Sequence, residues 1–165
     1  MGFWGYYIVA RSDRQLADLD ALSGVREGLS LHERRPGGWQ IWEAAVPEVG
    51  SMSKLAQDTG APALFGFVMN SECVAVEAAG PESGAWNACL ARDAMAGFLA
   101  GDDKEPDDLF LPPRDAAERA VDWAQEAGCV PAAAADLVAV LTGPAEPSAE
   151  LLFFRFLDRL GIPGE

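Results

Sequence analysis

The sequence predicts a domain of the α+β class, in which an antiparallel sheet of about five strands carries a helix-rich C-terminal part. Strand-like segments in the first hundred residues come largely in adjacent pairs and do not alternate with long helices. The helical patterns near the C-terminus each carry their own start and stop signals. Half of the 165 residues are hydrophobic, and a chain of this length folds without a metal or disulfide staple.

The first strands and turns follow from local composition. Residues 4–10 are aromatic and β-branched, which favours a strand, and leucines 16, 19 and 22 follow at helical spacing. Residues 28–46 predict a hairpin that turns at residues 35–38, with its register left open. A short helix follows, capped by Ser51 or Ser53 and closed by Gly60.

A second hairpin is predicted between two apolar runs, residues 63–69 and 73–79. Asn70, Ser71 and Glu72 lie between the runs, and these residue types suit a hairpin loop of this length. Cys73 begins the second run beside Glu72, whose charge raises the pKa of a thiol, so we expect Cys73 to be structural.

The chain after Pro81 predicts helices. One runs from Trp86 to Gly101, and three more cover residues 114–127, 131–142 and 148–160. The last helix has apolar side chains on more than one stripe, so it belongs either to the core or to an oligomer interface, and we favour the core.

The helical pattern divides the chain into three parts. Residues 1–101 form the sheet-containing part, residues 102–113 an acidic, proline-rich connecting loop, and residues 114–165 a helical part of the same domain.

The charge balance limits the partners that the protein can bind. Twelve Lys and Arg residues against 26 Asp and Glu residues give a net charge of −14. Such a surface repels phosphate, which excludes nucleic acid and anionic membranes and leaves a basic protein as the possible partner. No apolar run reaches transmembrane length.

The sequence carries no catalytic, metal or cofactor motif that we can identify. The three cysteines lie far apart with no CxxC pair, the single histidine is His32, and no nucleophile-elbow, phosphate-loop or dinucleotide fingerprint occurs. A calcium loop starting at Asp103 fails, because Asp108 replaces the required glycine and Arg114 the required glutamate. The odd cysteine count and an N-terminus without a basic start predict a cytoplasmic protein.

Two groups of side chains are candidate binding sites. The first is the acidic loop, for which charge repulsion and Pro106 predict an extended, solvent-facing segment outside any helix. Its carboxylates are Asp102, Asp103, Glu105, Asp107 and Asp108. The second is an aromatic groove drawn mostly from predicted strands, because buried indole and phenol groups need hydrogen-bond partners. Its members are Trp4, Tyr6, Trp39, Trp42 and Trp86.

In size, charge and class the chain is similar to bacterial immunity proteins and other protein-binding inhibitors, and this similarity carries over no residue. The first hypothesis is therefore a non-catalytic interaction module that binds a basic protein. The alternative is a small carboxylate-dependent enzyme, with Glu72 or Asp93 beside Trp86 in a cleft. The oligomeric state and the strand order stay open.

Overall fold

A computed structural model of the chain describes residues 2–163 and has the predicted α+β class. Its sheet has six antiparallel strands in the order β2-β3-β1-β4-β5-β6, one more than predicted. The strands are β1 Gly5–Arg11, β2 Leu29–Arg35, β3 Trp39–Ala44, β4 Ala63–Met69, β5 Cys73–Gly80 and β6 Gly84–Leu90.

Helices occupy most of the remaining chain. The α-helices are α1 Met52–Thr59, α2 Arg92–Leu99, α3 Pro106–Leu109, α4 Pro113–Glu126, α5 Ala134–Thr142 and α6 Ala149–Arg159. Two 3₁₀ segments, Leu16–Asp18 and Asp20–Gly28, connect β1 to β2. The predicted caps of α1 are present, since Ser51 Oγ accepts the backbone N–H of Lys54 and Gly60 adopts a positive φ of 70°.

The two faces of the sheet are covered to different extents. Face 1 is the side towards which Tyr7 and Val9 point, and α4, α5 and α6 pack on it to form the larger core. Face 2 is the side of Tyr6 and Ile8, where the 3₁₀ segments and α1 form a smaller core. The short helix α2 reaches this side through Phe98, which contacts Trp4. Face 2 therefore keeps more of its side chains accessible.

The helix predicted from Trp86 to Gly101 is wrong over its first five residues, Trp86 to Leu90, which belong to β6. Trp86, Ala88 and Leu90 all point to face 1 in the alternation of a strand, but Cys89 between them is buried as well. Burial on both sides hides the two-residue period that identifies a strand. Ala91, with a φ of 58°, separates β6 from the shorter helix α2.

The last helix lies in the core, as predicted. Leu152, Phe153, Phe156 and Leu157 of α6 are at most 1% exposed. The helix ends in a Schellman arrangement, where Gly161 has a φ of 87° and the Ile162 N–H donates to the Leu157 carbonyl oxygen at 3.2 Å. In contrast, α5 begins at Ala134, three residues after the predicted start at Pro131.

Gly66 allows α6 to approach the sheet, and this generates a prediction. A Cβ atom at Gly66 would lie 2.5 Å from Cε1 of Phe153. We expect Gly66→Ala to lower the free energy of unfolding by about 1–3 kcal/mol, because neither the strand nor the buried ring has room to move. Urea denaturation measures this change.

Gly97→Ala in α2 is the matched control. A Cβ atom at Gly97 would have no neighbour within 4 Å, so this variant should be stabilised by up to about 1 kcal/mol through helix propensity. Equal effects of the two substitutions would contradict the close contact at Gly66.

Candidate functional site

The loop between β4 and β5 is a hairpin turn, as predicted. It also forms hydrogen bonds to two segments that are distant in the sequence, the N-terminal segment and the start of α6. Asn70 and Ser71 have positive φ values of 53° and 55°, as the central residues of a type I′ turn do, and the Glu72 N–H donates to the Met69 carbonyl oxygen at 2.9 Å. Ser71 Oγ accepts the Phe3 N–H at 2.7 Å, and the Ser71 N–H donates to the Phe3 carbonyl oxygen at 2.8 Å. The Ser71 carbonyl oxygen accepts the Ala149 N–H at 2.9 Å. The loop thus joins the N-terminal segment to the start of α6.

Cys73 has the environment of a structural thiol. Its side chain is fully buried. Burial is the largest influence that raises its pKa to about 12, followed by the charges of Cys89 and Glu72. A thiol with such a pKa remains protonated at neutral pH and is a poor nucleophile.

The acidic loop is solvent-facing, as predicted, but the prediction of an extended segment is wrong. Ala100–Asp102 forms a 3₁₀ turn, and Pro106 begins α3 instead of preventing a helix. Proline suits this first position because its fixed φ is helical and its missing N–H would have no helical partner. All five carboxylate residues of the loop are exposed.

The five carboxylates divide into two groups by their contacts. Asp107 forms an ion pair with Arg92, and an oxygen of Asp108 accepts the Glu105 backbone N–H at 2.8 Å. Asp107 and Asp108 therefore hold the shape of the loop, and Glu105 is the N-cap residue of α3. The charges of Asp102, Asp103 and Glu105 are not neutralised by an ion pair within residues 2–163.

The candidate aromatic residues lie on both faces of the sheet. Trp39 and Trp86 point into the core of face 1 and are 2% and 6% exposed. Trp42 is buried on face 2, where its indole N–H donates to Gln40 Oε1 at 2.8 Å. Trp4 and Tyr6 remain partly accessible, so only these two of the five contribute to an open aromatic surface.

Trp4 and Tyr6 belong to an aromatic strip that also includes Phe65, Phe67 and Phe98. The Trp4 ring lies 6.2 Å from that of Phe67 and 6.0 Å from that of Phe98 on α2. Tyr6 stacks on Phe67 at 4.8 Å and on Phe65 at 6.0 Å. The three phenylalanines are not among the residues predicted from the sequence, although the two-residue spacing of Phe65 and Phe67 in β4 already places them on one face.

The acidic loop begins beside this strip. Phe98 contacts Trp4, and Asp102 follows four residues later in the chain. The Lys104 N–H donates to the Leu99 carbonyl oxygen at 3.1 Å, so the loop folds back on the end of α2. The acidic loop therefore starts one turn after Phe98, at the end of the helix that contacts Trp4.

A separate cleft of about 420 Å³ lies at the β5–β6 hairpin and is lined by Trp86. Its carboxylate is the exposed Glu77 of β5. Glu72 and Asp93, the carboxylates considered for an enzyme at Trp86, line a different cavity of about 370 Å³. Glu77 is not among the site residues predicted from the sequence, although it is the one charged residue in the run 73–80.

Two side chains of α4 hold the β5–β6 turn. Arg119 donates to the carbonyl oxygens of Ser83 and Ala85 at 3.0 and 2.9 Å. Glu126 accepts the backbone N–H groups of Ser83 and Glu82 at 2.8 and 2.9 Å. Burial alone would raise the pKa of Glu126, but the hydrogen bonds from Ser83 and Glu82 outweigh it and lower the pKa below its usual value of 4.5.

Neither a metal site nor a membrane-spanning helix is found in the described residues. Between residues 2 and 163, no three side chains of His, Cys, Asp and Glu come together in an arrangement that would hold a metal ion. Of the helices in this part of the chain, none has both the length and the hydrophobicity to cross a bilayer.

Comparisons of the chain with family models, curated proteins and solved structures found no match.

The lowered pKa of Glu126 predicts a pH-dependent contribution to stability. The ionised carboxylate stabilises the folded state above its usual pKa, and this contribution is lost as the pH falls through the lower folded value. We expect Glu126→Gln to lower the free energy of unfolding by about 1 kcal/mol at neutral pH. The difference from the wild type should shrink as the pH falls below 4.5.

Denaturant unfolding across this pH range measures the effect of Glu126→Gln. Glu118→Gln, on an exposed position of the same helix, is the control and should show little change at any pH. A Glu126→Gln effect that is equally large at neutral and acidic pH would mean that the charge of the carboxylate does not stabilise the turn.

Proposed function

We propose that this protein is a non-catalytic interaction module that binds a basic segment of a partner protein on face 2. The observation that carries the proposal is Trp4, which is 54% exposed while its ring lies against Phe67 and Phe98. The exposed carboxylates Asp102 and Asp103 follow directly on the same helix end.

Aromatic rings and carboxylates together favour cationic side chains. The face of an indole attracts a guanidinium or ammonium group, and arginine also stacks on it through its planar shape. Tryptophan is among the residues that contribute most to binding when a partner buries them. The aromatic strip therefore supplies the contact area for an arginine or lysine of the partner.

The acidic loop acts at longer range. Asp102, Asp103 and Glu105 have no ion pair within residues 2–163, so their field extends into solvent and attracts a cationic partner before contact. The net charge of the whole chain, −14, is also negative and adds to this attraction. A nucleic acid or an anionic membrane would be repelled by this surface, and neither is part of the proposal.

The proposed interaction takes place in the reducing cytoplasm. Cys73, Cys89 and Cys129 are free thiols, and the first two are buried. Proteins that work in an oxidising compartment commonly use their cysteines in disulfides, so three free thiols support this location.

Binding of a short arginine-rich peptide with a fluorescent label tests the proposal. The test variant combines D102N, D103N and E105Q, and the matched control combines D115N, E118Q and D122N on α4. Each set removes three negative charges from exposed positions, so the two proteins have the same net charge. Fluorescence anisotropy gives the Kd at about 10 mM and about 150 mM salt, where the Debye length falls from about 30 Å to about 8 Å.

We expect the loop variant to bind about fivefold more weakly at low salt, with a smaller dependence on salt, and the control to change less than about twofold. Trp4→Ala should weaken binding about tenfold at both salt concentrations, because a ring contact is not screened. Equal losses in the two charge variants, together with an unchanged Kd for Trp4→Ala, would contradict the proposal.

A further inference from the structure

A cavity of about 290 Å³ lies at the end of the sheet where β1 begins and β3 ends. Phe3, Ser30 and Glu43 line it, and Trp4 and Tyr6 connect it to the aromatic strip. Because the cavity is at the end of the strands, residues of both faces border it. Its volume is just below the range of about 300–1,000 Å³ that is usual for small-molecule sites, so it has room for one side chain of a partner.

Glu43 gives this cavity a negative charge that no ion pair neutralises. Among the described residues that line the cavity, Glu43 is the only charged one, and it forms no ion pair with any residue from 2 to 163. In the antiparallel pairing, Glu43 lies directly opposite Tyr7 of β1 and Ser30 of β2. Directly opposite residues share a face of the sheet, so these three side chains form a row on face 1.

Glu150 adds to the negative potential around the same row. One of its carboxylate oxygens accepts the Ser71 hydroxyl at 3.1 Å, and the other is buried without a hydrogen-bond donor in residues 2–163. Burial is the largest influence that raises the pKa of Tyr7 to about 12, followed by the charges of Glu43 and then Glu150. Both carboxylates therefore act on the Tyr7 hydroxyl, and the potential beside it favours a cation.

Phe3 supplies a fixed aromatic wall. Its backbone N–H donates to Ser71 Oγ at 2.7 Å, and its carbonyl oxygen accepts the Ser71 N–H at 2.8 Å. Its ring occupies the space that a side chain at position 5 would need, because a Cβ atom on Gly5 would collide with Cζ of Phe3. The ring also lies 5.9 Å from that of Tyr7. Aromatic faces attract cations, so Phe3 and Glu43 favour the same kind of group.

We infer that this cavity binds one cationic side chain, a lysine or an arginine, of the basic segment that contacts Trp4. The inference rests on the proposed function and adds a defined position to it. Glu43 and the Ser30 hydroxyl accept hydrogen bonds from the ammonium or guanidinium group, while the methylene groups of the bound side chain pack on the Phe3 ring. The aromatic strip accepts a cation anywhere along its length, whereas the cavity fixes the position of one residue of the segment.

Three small probes test the cavity without a peptide. They are n-butylammonium, which matches a lysine side chain, n-propylguanidinium, which matches an arginine side chain, and the neutral 1-butanol. Two-dimensional ¹H–¹⁵N NMR titrations at constant ionic strength give their Kd values for the wild type, Glu43→Gln and Phe3→Leu. Glu48→Gln, which removes the same charge from an exposed position outside the cavity, is the matched control. Circular dichroism shows that each variant is folded.

We expect at least one of the two cations to bind the wild type about tenfold more tightly than 1-butanol, with shifts at the amides of Phe3, Ser30 and residues 43–45. Glu43→Gln should abolish this preference, because the carboxylate supplies the attraction. Phe3→Leu should weaken cation binding about threefold, and Glu48→Gln should leave it unchanged. The tighter of the two cations identifies the bound residue of the segment as lysine or arginine.

The labelled arginine-rich peptide separates failure of this inference from failure of the proposed function. We expect its Kd at low salt to rise about fivefold in Glu43→Gln. If Trp4→Ala weakens peptide binding and Glu43→Gln does not, the inference is wrong and the proposed function stands. If the small cations bind through Glu43 but Trp4→Ala leaves the peptide Kd unchanged, the proposed function is wrong and the cation site stands. Cations that bind the wild type no better than 1-butanol would overturn the inference without any variant.

Discussion

Phe153 lies directly on the backbone of β4 at Gly66, and this contact brings α6 down onto face 1 of the sheet. Trp123 of α4 contacts the same sheet at Ala63, the first residue of β4. Its indole N–H donates to the carbonyl oxygens of Ala63 and Ala79 at 3.1 and 3.2 Å. With α5 beside them, these helices cover face 1. The other face receives only short elements, and the gap between them leaves Trp4, Tyr6 and Phe67 accessible.

The same arrangement fixes the position of the proposed binding surface. The hydrogen bonds between Phe3 and Ser71 hold the segment that carries Trp4 against the β4–β5 turn. That turn is itself bound to the start of α6 through the Ala149 N–H. The backbone next to Trp4 is thus connected to α6 through hydrogen bonds to Ser71. The Trp4 ring is therefore held in position before a partner binds. Such positioning reduces the entropy lost on binding.

Local patterns in the sequence account for much of the fold and for little of the site. The α+β class, both predicted hairpins and the caps of α1 follow from residues that act on their immediate neighbours. β6 was missed because burial on both of its sides removes the alternation that marks a strand. The contact of Phe98 with Trp4 and the hydrogen bonds from Arg119 to the β5–β6 turn join distant parts of the chain, which local patterns do not contain. Pro106 was misread because proline both breaks helices and begins them.

The most direct test of the proposed binding surface maps where a cationic peptide touches the protein. Two-dimensional ¹H–¹⁵N NMR spectra of the labelled protein, recorded while an arginine-rich peptide is added, report on each backbone amide and on the indole N–H of each tryptophan. We expect the Trp4 indole and the amides of Tyr6, Phe67 and residues 98–105 to shift together and saturate, while signals of α4 to α6 stay in place. Shifts confined to the helices of face 1, or spread evenly over all acidic surfaces, would contradict a binding surface on face 2.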